Sequence, residues 1–308
     1  MITKITQCVT ACLLLPILAF SQTFSQTGKV DRKLQKALQE IVDSFHGTAG
    51  VYVQNLKTGR YAAVNADTIF PTASIVKVPI LVGVFDKIEK GELQYHQKLM
   101  YRDSIKYGGS GLMQFFKDSS ETDLSVLVAL MMAYSDNTTS LWNQALAGGG
   151  EQINKLLEQY GLQHTRVNSR TPGREEIWKI YGWGQTTPRE MSSLVVKIRK
   201  GEVVSPGASE RMYRLMTKGY YDENAISQVP PYVQVAAKSG SVDASRSEVL
   251  LVNAPHGDYV FYVGTKGNKD QRWTRDNEAS VMIRRVSALL WGHFERGSKW
   301  ETGFEPGE

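Results

Sequence analysis

Apolar residues recur at helical spacing over residues 31–45, at Leu34, Leu38, Ile41, Val42 and Phe45, and predict an amphipathic helix. Two short runs follow, Val51-Tyr52-Val53 and Tyr61-Ala62-Ala63-Val64. Joined across Lys57-Thr58-Gly59-Arg60, they have the pattern of a β-hairpin. Another helix is predicted from Ala73 towards Lys90. Residues 123–199 are mostly helical in pattern, with segments at 124–134, 137–146, 151–160 and 188–198. Between them, 166–187 shows little periodicity and is long for a connection, which marks a candidate functional loop. Strands return as a meander at 232–238, 248–253 and 259–264, and 276–294 closes the pattern as a helix. The polar tail 296–308 is expected to fray. Strands at both ends with helices between them predict an α+β fold: one antiparallel sheet built from both chain ends, flanked by helices, with an inserted all-helical lobe. The sheet part takes in about 22–70 and 205–308 and the helical part about 71–204, within a single domain at 22–308.

Composition excludes more than it identifies. Of 308 residues, 42% are hydrophobic and 22% charged, ordinary values that argue against disorder, collagen and a polytopic membrane protein. The net charge of +5 is spread without a basic run, so no nucleic-acid groove is expected. Residues 1–21 have the form of a secretory signal: Lys4, then a mostly apolar run over 9–20, then small residues at Ala19 and Ser21. That run is shorter than the roughly 18 apolar residues a membrane anchor needs. The mature chain is therefore expected to be exported, periplasmic or secreted, with no stable membrane anchor, and to act as a monomer. Both cysteines, Cys8 and Cys12, fall inside the signal, leaving the mature chain no thiol nucleophile, disulfide or cysteine-held metal. The five histidines (46, 96, 164, 256, 293) are scattered without metal-ligand spacing.

Three short segments carry chemistry. Ser74-Ile75-Val76-Lys77 is the one place where a lysine follows a serine by three residues. On a helix these positions share a face, and a desolvated Lys can take the proton of the Ser hydroxyl. About one such pair arises by chance in a chain of this size, and alone it equally describes a helix-starting Ser with a solvated Lys. Ser135-Asp136-Asn137, 61 residues on, stands between two predicted helices. It is either a pair of polar groups aimed at one cleft or an ordinary N-cap. Lys238-Ser239-Gly240 ends a predicted strand, where a plain turn is the alternative.

Together the three segments resemble the signature of the penicillin-recognising serine enzymes, closest to class A β-lactamases. Phe70-Pro71, Tyr107, Ala147-Gly148-Gly149, Thr186-Thr187-Pro188, Ser245-Arg246 and Asp276-Asn277-Glu278 extend the likeness over about residues 30–295. The resemblance implies Ser74 as the acylated nucleophile, Lys77 as a base in its activation and Ser135 as the proton relay to the leaving nitrogen. It further implies Asn137 as a clamp on the substrate amide, Lys238 as a source of positive potential, and Ser239 and Arg246 as contacts to the substrate carboxylate. Tyr107 stands at the cleft lip. The backbone N–H groups of Ser74 and Ser241 are expected to form the oxyanion hole. The implied substrate is a β-lactam or acyl-peptide, and no cofactor is required.

The loop departs from the family. Its anchors, Thr165-Arg166 and Thr186-Thr187-Pro188, match without a gap, which puts Thr171 where class A enzymes carry the deacylating Glu and Glu175 where they carry an Asn. A threonine is no general base at neutral pH. Glu175 or Glu176 is either a substitute or a solvated loop charge. Three functions remain: a serine β-lactamase with an unusual deacylating group, a related acyl hydrolase or D-alanyl-D-alanine peptidase with slow deacylation, and a non-catalytic β-lactam receptor.

Overall fold

The computed structural model describes residues 28–302, so the expected signal at 1–21 lies outside the described residues. In chain order the elements are α1 (Arg32–Asp43), β1 (Thr48–Asn55), β2 (Tyr61–Val64), β3 (Phe70–Pro71), a 3₁₀ turn (Ala73–Val76), α2 (Lys77–Glu89) and β4 (Lys98–Met100). Next come β5 (Glu121–Asp123), α3 (Leu124–Ala133), α4 (Asn137–Leu146), α5 (Gly149–Gln159), β6 (Arg166–Val167), α6 (Glu175–Tyr181), β7 (Gly184–Thr186), α7 (Pro188–Arg199) and α8 (Pro206–Met216). The chain ends in β8 (Val235–Val242), β9 (Ser245–Val252), β10 (Tyr259–Lys266) and α9 (Glu278–Phe294).

The main sheet has five antiparallel strands in the order β2-β1-β10-β9-β8. Its first and last strands in sequence, β1 and β10, are neighbours at its centre, so both chain ends build it as the pattern predicts. Strand alternation gives it two apolar faces. Leu250, Val252, Tyr259, Phe261 and Val263 face α1 and α9. Those helices present the stripes Leu34, Leu38, Ile41, Val42 and Met282, Ile283, Val286, Leu290. Val249, Leu251, Val260 and Tyr262 face the other way, into a core shared with α2, α3, α7 and α8. The antiparallel sheet flanked by helices is thus the predicted α+β fold.

At the centre of that second core is α2, whose residues Lys77 to Phe85 are all buried. An element apolar all round must be enclosed, and this one carries a lysine inside with it. The predicted helix at 73–90 differs in its first turn. Ala73–Val76 is 3₁₀, and the α-helix starts at Lys77. Two helices were not anticipated. One, α6, sits inside the 166–187 loop. The other, α8, starts with the N-cap Ser205 and Pro206 at the first turn, both legible start signals, and buries Ala208, Met212, Tyr213 and Met216.

Strand β8 runs against the 3₁₀ turn. A Cβ at Gly240 would stand 3.0 Å from the Ser74 nitrogen and still closer to the Thr72 carbonyl. Gly240→Ala is therefore expected to destabilise the fold by roughly 1–3 kcal/mol through overpacking. Gly207→Ala, facing open space on α8, should raise stability by roughly 0.5–1 kcal/mol. Thermal denaturation of both variants checks this; an unchanged Tm for Gly240→Ala would contradict the close approach.

Candidate active site

Ser74 sits in the 3₁₀ turn and Lys77 is the first residue of α2. In a 3₁₀ turn positions three apart eclipse one another, and Lys77 Nζ lies 2.9 Å from Ser74 Oγ. Ala73, just before Ser74, has φ +42°, a strained conformation for a residue with a side chain. Ser135 also has a left-handed backbone, φ +51°, which turns both its carbonyl and its hydroxyl towards Lys77. Lys77 Nζ donates to Ser135 O at 2.6 Å and to Asn137 Oδ1 at 3.0 Å, and lies 3.0 Å from Ser135 Oγ. Asn137 Nδ2 donates to Gly108 O at 3.1 Å, which fixes its amide orientation. The two readings of 135–137 are both realised. Asp136 caps α4, accepting from Thr139 N at 2.8 Å and from Leu112 and Met113 N, while its neighbours reach the lysine.

Lys77 has no exposed surface. Burial first, then the nearby Lys238 ammonium, holds its amine well below the usual lysine range, against the opposing pull of Asp136. A neutral amine has two N–H bonds and one lone pair. Ser135 O and Asn137 Oδ1 only accept, so the amine in its neutral form would give them its two hydrogens and turn its lone pair to the Ser74 hydroxyl. That is the geometry of an activated serine. Lys238, reaching in from β8, donates to Ser135 Oγ at 3.0 Å and to Ser239 O at 2.9 Å. Burial lowers its pKa to about 8, and Glu248 opposes the shift. Ser135 Oγ is therefore shared between two lysines, one with its basicity strongly depressed and one retaining more of its proton at neutral pH.

A cleft of about 730 Å³ opens over Ser74, lined among others by Tyr107, Asn137, Trp183, Ser241 and Lys266. Tyr107 and Trp183 meet edge to face across it, ring centroids 5.2 Å apart. Ser239 lies on β8 opposite Glu248. Arg246 is not brought into the cleft: its guanidinium donates to the carbonyls of Val242, Asp243 and Ser245 and stacks 4.2 Å from the Trp273 ring.

A model of the β-lactamase enzyme family matches residues 33–294. The chain belongs to that family. It is 21% identical over 268 residues to β-lactamase VEB-1 of Pseudomonas aeruginosa, covering 83% of this chain and 89% of that protein. Among solved structures, PBP-A is similar with a TM-score of 0.78 and 27% identity, over 87% of this chain and 98% of that one. A β-lactamase from Chitinophaga pinensis has the same fold, with a TM-score of 0.77 at 20% identity, over 85% and 99% of the two chains.

Within this β-lactamase-family fold the long loop is rebuilt. Thr171 is buried, its hydroxyl donating to Ser169 O at 3.0 Å, and it packs on Gly150 of α5. Glu175 turns back to accept from Gly173 N at 3.1 Å, and Glu176 pairs with Lys179 at 2.6 Å; both are exposed. Arg174 fills the inside of the loop, donating to Asn168 Oδ1 at 2.7 Å and Gln185 Oε1 at 3.0 Å. Among the described residues no carboxylate is hydrogen-bonded to Ser74, Lys77, Ser135 or Lys238.

Sequence reasoning passed over Glu248, although a lone acid in the run Ser247-Glu248-Val249-Leu250-Leu251 is a visible anomaly. It is 1% exposed and accepts from Ala225 N at 3.0 Å. Burial pushes its carboxyl up to about 7; Ala225 and Lys238 oppose the shift, while Glu223 and Asp222 add to it. A carboxyl raised in the folded state contributes stability that is complete below its unfolded pKa and is lost as pH rises through the folded value. The wild type should therefore lose stability relative to Glu248→Gln between pH 4.5 and about 7, by at most roughly 3 kcal/mol. Denaturant melts of both proteins across that range test this; a pH-independent difference would mean the carboxyl stays ionised throughout.

Proposed function

We propose that this protein is a penicillin-binding serine acyl hydrolase: Ser74 is acylated by β-lactams and by D-alanyl-type peptides, and the acyl-enzyme is hydrolysed slowly. One observation carries the reading. The acylating half of the site is assembled around Lys77, while the loop that should hold a deacylating carboxylate offers Thr171, turned to Ser169, and two glutamates on its outer surface. Neutral Lys77 takes the Ser74 proton as Oγ attacks the carbonyl. Ser135, held between Lys77 and Lys238, passes a proton to the leaving nitrogen. The N–H groups of Ser74 and Ser241 receive the developing oxyanion. Asn137 and Tyr107 border the acyl side chain, and Lys238 with Ser239 attracts the carboxylate. The likeness to PBP-A, a variant of which is solved as an acyl-enzyme complex with penicillin-G, supports the assignment. The signal pattern at 1–21 fits a chain exported to where cell-wall peptides and β-lactams are met. The second reading, a β-lactamase with efficient turnover, is favoured by the names of the curated relatives in Pseudomonas aeruginosa and Serratia marcescens.

Time-resolved intact mass after mixing with excess benzylpenicillin separates the two. A single adduct should form, be absent in Ser74→Ala, and persist after roughly one equivalent of drug is consumed. Consumption of many equivalents with free enzyme regenerated would establish the β-lactamase instead. Glu175→Gln and Glu176→Gln should leave adduct formation and lifetime unchanged in the same assay; a slower release in either would place that glutamate in deacylation.

A further inference from the structure

The segment Gly182-Trp183-Gly184 closes the long loop, and its construction aims one side chain. Gly182 has φ +66° and ψ −141°, a backbone conformation open in practice to glycine alone. Gly184 has no room for a Cβ, which would stand 2.6 Å from Val76 Cγ2 and 2.7 Å from Thr72 Oγ1. Between them the Trp183 carbonyl accepts from Asn168 N at 2.8 Å and Ser169 N at 3.0 Å. The residue is thus clamped on both sides, and its indole projects into the cleft. There it lies over Lys77, 5.8 Å from Nζ to the ring centroid, and meets Tyr107 edge to face. The hydrogen-bond partners of Lys77 are Ser74, Ser135 and Asn137, and the indole adds an apolar cover from the loop.

We infer that Trp183 is a positioning residue that keeps water from the Ser74 ester and from Lys77, and so sets the lifetime of the acyl-enzyme. The inference rests on the slow-deacylation reading above. Release of the acyl group requires a water oxygen to bond to the acyl carbon while the bond from Ser74 Oγ to that carbon breaks. One water proton ends on Ser74 Oγ, and the other stays with the carboxylic acid product. Lys77 is the amine available to take that proton in transit, and the loop is the wall from which a carboxylate-held water was expected. An indole there replaces the water's hydrogen-bond partners with a ring face. The same ring contributes to the desolvation of Lys77, whose charged neighbours are Lys238 on β8 and Asp136 at the head of α4.

The test is the benzylpenicillin adduct of Trp183→Ala and Trp183→Phe, with Trp178→Ala as the control for general loosening of the loop, since Trp178 is half exposed on α6. Trp183→Ala should shorten the adduct lifetime at least about tenfold, a change of ~1.4 kcal/mol in barrier. It should also move the acid limb of the acylation pH profile upward, because a rehydrated Lys77 holds its proton to higher pH. Trp183→Phe should fall between, and Trp178→Ala should match the wild type. An unchanged or longer lifetime in Trp183→Ala, or an equal shortening in Trp178→Ala, overturns the inference. If Trp183→Ala does not fold, Trp183→Phe decides: a lifetime and acid limb equal to wild type overturn it. Multiple turnover by the wild type would refute the slow-deacylation reading alone, and the acid limb would still report whether Trp183 desolvates Lys77.

Discussion

An amine taken wholly out of water governs how the rest of this site is built. Lys77 begins a helix enclosed in the core, and an ammonium there has no solvent and no carboxylate bonded to it. The protein meets that constraint with neutral acceptors and an amine basicity held well below the usual lysine range. Ser135 and Asn137 supply the acceptors, and the left-handed backbone at Ser135 is what lets one residue offer both a carbonyl and a hydroxyl. Asp136 holds that strained turn by accepting three backbone N–H groups, one at the start of α4 and two from the loop at 112–113. Strand β8 closes the other side, and it approaches the Ser74 turn so tightly that Gly240 has no room for a side chain. The S-D-N and K-S-G segments are therefore parts of one enclosure around one lysine.

The loop opposite is ordered in its own right. Gln144 on α4 donates to Ser169 O and accepts from its hydroxyl; Arg174 bridges Asn168 and Gln185; Glu190 on α7 gathers the N–H groups of Gln163, His164 and Thr165. These contacts tie the loop to α4 and α7, with Asn168 Nδ2 left as a buried donor without a partner among the described residues. Among those residues no side chain of the loop is hydrogen-bonded to Ser74, and the Trp183 ring lies on the cleft side. Thr171 is thus embedded in a loop with its own contacts, its hydroxyl on Ser169 O and its side chain against Gly150.

Much of this was legible in the sequence because it follows from period and order. The apolar runs of β9 and β10, the helical stripe of α1 and the return of strands at the chain end located the sheet. The three motifs identified the residues that now stand within hydrogen-bond reach of Lys77. What stayed hidden depends on direction in space. A spacing of three gives a shared face in either helix type, so the 3₁₀ turn under Ser74 was not separable from α-helix. Helix α6 is one of 7 residues that buries none of them, so Ile177, Trp178, Ile180 and Tyr181 mark no core-facing stripe, and a tryptophan between glycines gives no sign of which way its ring points. The family resemblance implied Arg246 as a substrate contact, yet the carbonyls of the β8–β9 turn and the face of Trp273 hold its guanidinium.

The two lysines that share Ser135 are set apart by their surroundings, and that difference is the chemistry. Lys77 has Lys238 as a like-charged neighbour and only amide, carbonyl and hydroxyl partners; Lys238 has Glu248 behind it. Burial depresses both; Glu248 returns part of the loss to Lys238 and Asp136 part of it to Lys77, while the Lys238 charge lowers Lys77 further. The Lys77 amine is held well below the usual lysine range and that of Lys238 at about 8, and the Ser135 hydroxyl lies within hydrogen-bond reach of both. Environments that push two equivalent groups apart are how a site separates acid from base. Glu248, absent from every motif, is the acid that opposes the effect of burial on Lys238. Its own carboxyl, raised to about 7, limits how firmly it does so: as pH falls below that value the neutralised Glu248 no longer supports the Lys238 charge. In the acylation proposed above, the charge that Lys238 brings to Ser135 thus depends in part on a buried acid that hydrogen-bonds to neither Ser74 nor Lys77.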